Sequence, residues 1–460
     1  MTSEACRLSV IGTGYLGATH AICMAAVGHQ VIAVDVDAAK IDALRAGRVP
    51  FFEPGLADLL AEVVATGRLT FGTDLAEAAR EADVHFLCVG TPQSSTSNAA
   101  DLTFVHAAIA ELAPQLRPGA LVVGKSTVPL GTAAELESMI TAAAPGTATE
   151  LAWNPEFLRE GFAVADTLRP DRLVFGVASP RAETILRAVY APITDVAEVP
   201  VVVTDRATAE LVKVAANSFL ATKISFINAM AEICEQSGAD VMKLTQALSH
   251  DSRIGGRFLR PGLGFGGGCL PKDIRAFRHR ATELGCGESV EFLHQVDEIN
   301  QRCRTRTVEL VRSLVGTLDG ARVAALGAAF KPDSDDIRDA PALAVASALA
   351  AGGARVRVYD PAAMDNARRS YPDLRYARSA VEAIHGADVL VVLTEWQQFV
   401  QLDPAAVARM VRRCNVVDAR HALDADRWRA AGWTYAGLGT AAPVTTAPAQ
   451  RERALADLVS

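Results

Sequence analysis

Leu8-Ser9-Val10-Ile11-Gly12-Thr13-Gly14-Tyr15-Leu16-Gly17 decides how this chain is built. An apolar strand runs straight into G-x-G-x-x-G, a helical stretch follows from Ala18 to Val27, and a second strand, Gln30 to Val34, ends at Asp35. That context makes the glycines a dinucleotide-binding turn, because they let a pyrophosphate reach a helix N-terminus. Asp35 is placed to accept from both ribose hydroxyls and to repel a 2′-phosphate, so NAD is favoured over NADP. The plainer reading of the glycines alone is a tight helix–strand packing turn.

Working outward, Ala82-Asp83-Val84-His85-Phe86-Leu87-Cys88-Val89 and Leu121-Val122-Val123-Gly124 read as further strands. Gly90-Thr91-Pro92 and Lys125-Ser126-Thr127-Val128-Pro129 leave their carboxyl ends, where ligands of doubly wound sheets bind. Thr91, Ser126 and Thr127 are thus placed to face a cofactor, although such hydroxyls also serve as turn residues. In Asn154-Pro155-Glu156-Phe157-Leu158-Arg159-Glu160-Gly161 two carboxylates stand four apart and share a face if the segment is helical.

Gly262-Leu263-Gly264-Phe265-Gly266-Gly267-Gly268-Cys269-Leu270-Pro271-Lys272-Asp273 surrounds one thiol with glycine. Pro271 suits the first position of a helix. Cys269 then meets the positive end of the helix dipole with Lys272 nearby, and both lower a thiol pKa. This predicts a nucleophile; the alternative is a buried cysteine beside a packing loop.

No Gly or Pro interrupts Val201 to Ser237, and Asp205 can cap a helix reaching Gly238. About 32 residues at ~1.5 Å each span roughly 48 Å, long enough to link two domains or build a subunit interface. Its apolar circumference predicts burial. Lys213 and Asn217 lie one turn apart on it. Arg253, Arg257 and Arg260 then precede the cysteine loop and suit phosphate.

Past residue 318 the chain partly repeats itself. Arg322-Val323-Ala324-Ala325-Leu326-Gly327 echoes Arg7 to Gly12, and Val356-Arg357-Val358-Tyr359-Asp360 echoes Val31 to Asp35. The third glycine is missing, and Lys331 offers a cation to a different ligand. The expected organisation is α/β: two Rossmann-like domains with parallel sheets joined by a long central helix. Its boundaries are 1–200, 201–317 for the linker and dimerisation segment, 318–440, and a flexible tail at 441–460.

With 460 residues, 50% hydrophobic and 21% charged, the composition is that of an ordinary soluble protein. A net charge of −8 argues against nucleic acid as partner. No apolar run or signal-peptide layout points to a membrane or export. Eight scattered cysteines without C-x-x-C predict no disulfide framework and no metal, as in a reducing cytoplasm.

Taken together, the Gly12–Gly17 motif, Gly90-Thr91-Pro92, Ser126-Thr127-Val128-Pro129, Asn154–Gly161, Lys213–Asn217, Asp251-Ser252-Arg253-Ile254-Gly255, Gly264–Asp273, Phe330-Lys331 and Thr394-Glu395-Trp396 resemble the UDP-glucose 6-dehydrogenase family of nucleotide-sugar dehydrogenases, from about Arg7 to Gly439. Gly268 stands where many members have Ser. The resemblance implies oxidation of UDP-glucose to UDP-glucuronate with two NAD⁺ reduced, through an aldehyde, a Cys269 thiohemiacetal and a thioester. It implies Lys213 as a clamp or base at the C6 oxygen, and Asn217 and Asp273 as positioning groups. Glu156 becomes the base for thioester hydrolysis, with Thr127 orienting water. Gly12, Gly14, Tyr15, Leu16, Gly17, Asp35, Lys40, Thr91, Pro92, Ser126, Thr127, Glu160, Cys269, Lys272 and Arg338 are implied on the NAD side. Glu156, Phe157, Leu158, Arg159, Glu160, Lys213, Asn217, Phe258, Leu259, Arg260, Gly264, Gly266, Phe330 and Lys331 are implied on the substrate side. Arg253 reaches across a subunit interface, giving a homodimer or higher homo-oligomer. The same chemistry on GDP-mannose or a UDP-N-acetylhexosamine is the alternative. A two-electron hydroxyacid dehydrogenase and a silent nucleotide-binding protein stand further off.

Overall fold

The computed structural model describes residues 5–440; the tail expected at 441–460 lies outside the described residues. These residues form two compact units. The first runs to Ala221 and adds Gly267–Gln295 and Asp333–Asp335. The second takes Thr222–Gly266, Val296–Pro332 and the chain from Asp336 onward.

In the first unit eight strands make one sheet. They are β1 (Arg7–Ile11), β2 (Gln30–Val34), β3 (Leu69–Gly72), β4 (Val84–Leu87), β5 (Leu121–Gly124), β6 (Glu150–Trp153), β7 (Leu173–Gly176) and β8 (Val201–Thr204), in the order β3-β2-β1-β4-β5-β6-β7-β8. Reversal of direction on either side of β1 is the doubly wound pattern, which opens a ligand crevice at the carboxyl ends. The sheet departs from the parallel expectation once. β6 and β7 pair antiparallel at Trp153 and Gly176, so β7 and β8 run against the other six.

The inner strands are apolar on both faces because helices cover both, whereas Val202 and Val203 of the edge strand β8 are exposed. Leu8, Val10, Phe86 and Phe175 belong to one core, and Ile11, Leu87, Val122 and Trp153 to the other. The first helix, Tyr15–Ala26, begins three residues earlier than the sequence pattern suggests, at a Gly14 with no side-chain cap. Gly12 has φ +91°, and a Cβ on Gly17 would stand 1.8 Å from the Gly12 carbonyl oxygen, so the turn admits no side chain at either place.

The second unit carries β9 (Arg322–Leu326), β10 (Arg355–Tyr359), β11 (Arg375–Tyr376), β12 (Val389–Val392), β13 (Asn415–Asp418) and β14 (Thr434–Gly437), ordered β11-β10-β9-β12-β13-β14. Every pairing in it is parallel. Val323, Ala325 and Val391 alternate with Ala324, Leu326 and Val392 between its two cores.

The long helix forms as its composition dictates, over Arg206–Ser237. Asp205 caps it, accepting from the Thr208 amide at 2.8 Å. Its expected burial on all sides does not hold within one chain. Leu211, Phe219, Phe226 and Ile233, spaced by eight, seven and seven residues, are exposed. Among the described residues no helix is long and apolar enough to cross a membrane.

Candidate active site

Asp35 ends β2 beside the glycine turn. Its Oδ2 accepts from the Thr13 amide at 2.7 Å and the Thr13 hydroxyl at 3.0 Å, and its Oδ1 from the Asp37 amide at 3.0 Å. Partial burial works against the charge, but these donors and Lys40, 3.9 Å away, outweigh it and hold the carboxyl below its ordinary value. An uncapped helix N-terminus beside a fixed carboxylate fits a dinucleotide's pyrophosphate and ribose.

The matching carboxylate of the second unit, Asp360, is used differently. It is buried and accepts from the Ala328 and Ala329 amides at 2.8 and 3.0 Å and from the Trp396 indole at 3.0 Å. The Ala362 and Ala363 amides occupy its other oxygen, each at 2.9 Å. Nothing of it is left for a ribose, which agrees with the different ligand expected of this copy.

Beyond the crevice in the first unit, Thr91 donates to the Thr127 carbonyl at 2.7 Å and Ser126 to the Val89 carbonyl at 2.6 Å. These two hydroxyl protons therefore brace the β4 and β5 loops, and only the oxygens' acceptor sides remain for a cofactor. Thr91, Pro92, Thr127, Val214, Lys272 and Asp273 are among the residues lining a narrow cleft.

Residues 154–161 are not helical, so the two carboxylates do not share a helix face. Pro155 disfavours helix at Asn154, and the carboxylates take separate partners. Glu156 Oε1 meets Lys213 Nζ at 2.9 Å, and Oε2 accepts from the Leu158 amide at 2.7 Å. Glu160 accepts from the Ser334 hydroxyl at 2.8 Å. Phe157 carries Arg172 over its ring at 3.7 Å and Lys213 at 5.6 Å. Arg159 pairs with Asp166 at 2.6 Å.

Lys213 and Asn217 do point to one place. Asn217 Nδ2 donates to Asp273 Oδ2 at 2.7 Å, and Lys272 Nζ to Asp273 Oδ1 at 2.6 Å. Burial opposes the Lys213 charge, but Glu156, Cys269 and Asp273 together raise its pKa above the ordinary lysine value.

Cys269 is the N-cap of the helix Leu270–Glu283, with Pro271 in its second position rather than its first. The expected lowering of the thiol pKa is overturned. Enclosure by protein is the largest cause of a rise to about 12, and Asp273 and Glu156 add to it against Lys213 and Lys272. The residue keeps exposed surface, so water reaches one side of it while protein packs the others. The reason for the reversal is one of size: a helix terminus contributes only ~0.3–1 kcal/mol, and Lys272 spends its charge on Asp273.

In the second unit, Phe258 holds φ +64°, a strained value for a non-glycine residue. Leu259 is buried beside Ile227, Ala231 and Val241, a core position rather than a ligand-facing one. Arg260 donates to the His421 carbonyl. Arg253 folds onto Asp251 at 2.6 Å with its side chain 87% exposed, and Arg338 onto Asp336 at 2.7 Å. Lys331 lies 5.5 Å from the Phe330 ring, and Gly264 and Gly266 pack against Asn300 and Asp339.

The chain matches three domains of one family in order. They are its NAD binding domain over residues 6–194, its central domain over 207–302 and its UDP binding domain over 324–425. The chain belongs to the UDP-glucose/GDP-mannose dehydrogenase family. It is an NAD-dependent oxidoreductase. A UDP-glucose 6-dehydrogenase of Rhizobium meliloti is 42% identical over 436 residues, covering 94% of this chain and 99% of the relative. Among solved structures, a UDP-glucose dehydrogenase from Pyrobaculum islandicum superposes with a TM-score of 0.88 at 37% identity, over 95% of this chain and 99% of that one. A UDP-D-ManNAc dehydrogenase from Pyrococcus horikoshii gives 0.82 at 26%, over 94% and 99%.

Three residues of this dehydrogenase escape a sequence reading. Glu53 is buried and accepts from the Gly161 and Ala163 amides at 2.6 and 2.7 Å and from the Tyr15 hydroxyl, tying the glycine turn to the Glu160 loop. Glu210 accepts from the Gly131 and Ala133 amides at 2.7 and 2.6 Å, fixing the long helix to the loop after Thr127. The Arg420 guanidinium donates to the carbonyls of Gly264, Leu393 and Phe330 at 2.9 to 3.1 Å. Most of their partners are backbone groups brought together by the fold, and no local pattern announces them.

Proposed function

We propose that this dehydrogenase oxidises the C6 hydroxyl of UDP-glucose to the carboxylate of UDP-glucuronate, in the cytoplasm. NAD⁺, when bound, accepts one hydride in each of two oxidations. Gly12, Gly14, Tyr15, Leu16, Gly17, Asp35 and Lys40 would hold it, with Thr91, Pro92, Ser126, Thr127, Glu160 and Lys272. The Cys269 thiol adds to the C6 aldehyde, giving a thiohemiacetal that is oxidised to a thioester. Lys213 stays charged and steadies the developing C6 oxyanion, while Asn217 and Asp273 orient that oxygen. Glu156 removes a proton from the water that hydrolyses the thioester, and Thr127 holds that water. Arg253, Phe258, Arg260, Gly264, Gly266, Phe330 and Lys331 bind the nucleotide sugar. The convergence of Lys213, Glu156, Asn217 and Asp273 beside Cys269 carries this reading. The test is NADH formed per UDP-glucose consumed at completion with excess NAD⁺. A ratio near two is expected, one for each hydride transfer; a ratio near one would stop the reaction at the aldehyde.

The likeness to a UDP-D-ManNAc dehydrogenase keeps a second reading open, in which a UDP-N-acetylhexosamine or GDP-mannose is the substrate. Turnover of one of these without turnover of UDP-glucose would replace the first.

A homodimer or higher homo-oligomer completes the proposal. The exposed Leu211, Phe219, Phe226 and Ile233 lie on the long helix at the heptad-like spacing that pairs helices. Phe219→Glu with Phe226→Glu should turn a dimer into a monomer by sedimentation analysis, because two carboxylates in an apolar seam are costly. An unchanged mass would remove this face from the interface.

A further inference from the structure

Lys125 follows β5 and is buried, two residues before Thr127. Its ammonium donates to Asn154 Oδ1 at 2.8 Å, to the Asn154 carbonyl at 3.4 Å and to the Tyr190 hydroxyl at 3.2 Å. The Tyr190 hydroxyl donates in turn to Asn154 Oδ1 at 2.6 Å, and Asn154 Nδ2 to the Val174 carbonyl at 2.9 Å. The rings of Phe86 and Tyr190 lie 5.9 and 5.7 Å from the nitrogen. Among the described residues no carboxylate forms an ion pair with it. A buried ammonium without an ion-pair partner is expensive, and methionine would fill the same space at lower cost. Asn154 stands two residues before Glu156, just past β6, which pairs with the β5 strand that Lys125 follows.

We propose that Lys125 is a positioning residue: its buried ammonium clamps Asn154 across the ends of β5 and β6 and so sets Glu156 opposite Lys213. This rests on the role given above to Glu156 in thioester hydrolysis. The groups that face the ammonium are Cys88 beyond β4, Glu156, Lys213 on the long helix and His20 on the first helix. Burial lowers the Lys125 pKa to about 8, Cys88 and Glu156 oppose the fall, and Lys213 deepens it. Lys125 is therefore charged at neutral pH and loses its charge in mildly alkaline solution.

The experiment is Lys125→Met and Lys125→Gln in the full chain, with wild type alongside. For Lys125→Met, kcat should fall about 10–100-fold, as small misplacements of reacting groups do. Both KM values should stay within about twofold, and thioester on Cys269 should accumulate in mass spectra of acid-quenched protein. Its melting temperature at pH 7 should be unchanged or higher. From pH 8 to 10 wild type should gain stability relative to Lys125→Met, because the folded chain, with Lys125 near 8 against an ordinary 10.5, binds fewer protons there than the unfolded chain. Wild-type kcat in Lys125→Met, or loss of kcat with a lower melting temperature and no thioester, would overturn the proposal. So would absence of the alkaline difference, or failure of both variants to fold. If wild type itself never yields two NADH, the reading of the site fails instead, and that outcome is separate because it needs no variant.

Discussion

Cys269→Ser protein should lose steady-state formation of UDP-glucuronate by about 10³-fold or more, the scale on which a lost nucleophile is felt. The first oxidation asks nothing of the thiol, so a single turnover should still release about one NADH per site. The second cannot proceed efficiently without sulfur, because an aldehyde carbon gives up hydride only after something has added to it. Serine adds poorly, and the ester it would form resists hydrolysis more than a thioester. The thiol keeps one exposed side, while protein packed on the others and the neighbouring Asp273 and Glu156 raise its pKa to about 12. It therefore waits protonated, and iodoacetamide should label it more slowly at pH 8 than an ordinary cysteine. Quenched-flow measurement of NADH and aldehyde checks the first expectation. Wild-type turnover in Cys269→Ser would end the covalent mechanism.

Lys213→Met should reduce kcat about 10²–10⁴-fold through loss of charge at the C6 oxygen. It should also cost about 3–5 kcal/mol of folding stability, the usual result of removing one partner from a buried pair. Glu156 would keep only the Leu158 amide on its other oxygen. Linkage gives the sign of the pH effect. The folded pKa of Lys213 lies above its ordinary value, so its stabilisation is complete below about pH 10 and is lost as pH rises through the folded value. Denaturant melts of wild type and variant should therefore differ by a constant amount from pH 6 to 9 and converge above it. A Lys213 acting as a neutral base would instead place a limb in the kcat profile near neutrality. Observing such a limb, absent in the variant, would refute the clamp.

Much of this was legible in the sequence because local chemistry and tertiary structure agree. The glycine turn, Asp35 and the strands around them follow from spacing alone, as does the long helix capped by Asp205. Asn154–Gly161 was not legible in that way. Its shape comes from Pro155 and from Lys213, a residue distant in sequence that takes up Glu156. The thiol was misjudged because the eye finds Lys272 beside it, whereas the fold turns Lys272 onto Asp273. Leu259 sits between two residues expected to contact substrate, and only the packing of Ile227 and Val241 against it reveals a core position.

The bonds from Thr13 to Asp35 bear on any attempt to change the coenzyme. Swapping Asp35 for a small or basic residue is the obvious route to accepting a 2′-phosphate. Here that carboxylate is also scaffolding, since it receives both the amide and the hydroxyl of Thr13 inside the turn. Its removal would slacken the cradle for either coenzyme, and weaker binding all round would follow instead of a switch. The adjoining Val36 is 93% exposed and holds nothing in place. A redesign that adds positive charge there and leaves Asp35 to its structural duty starts from an intact cradle.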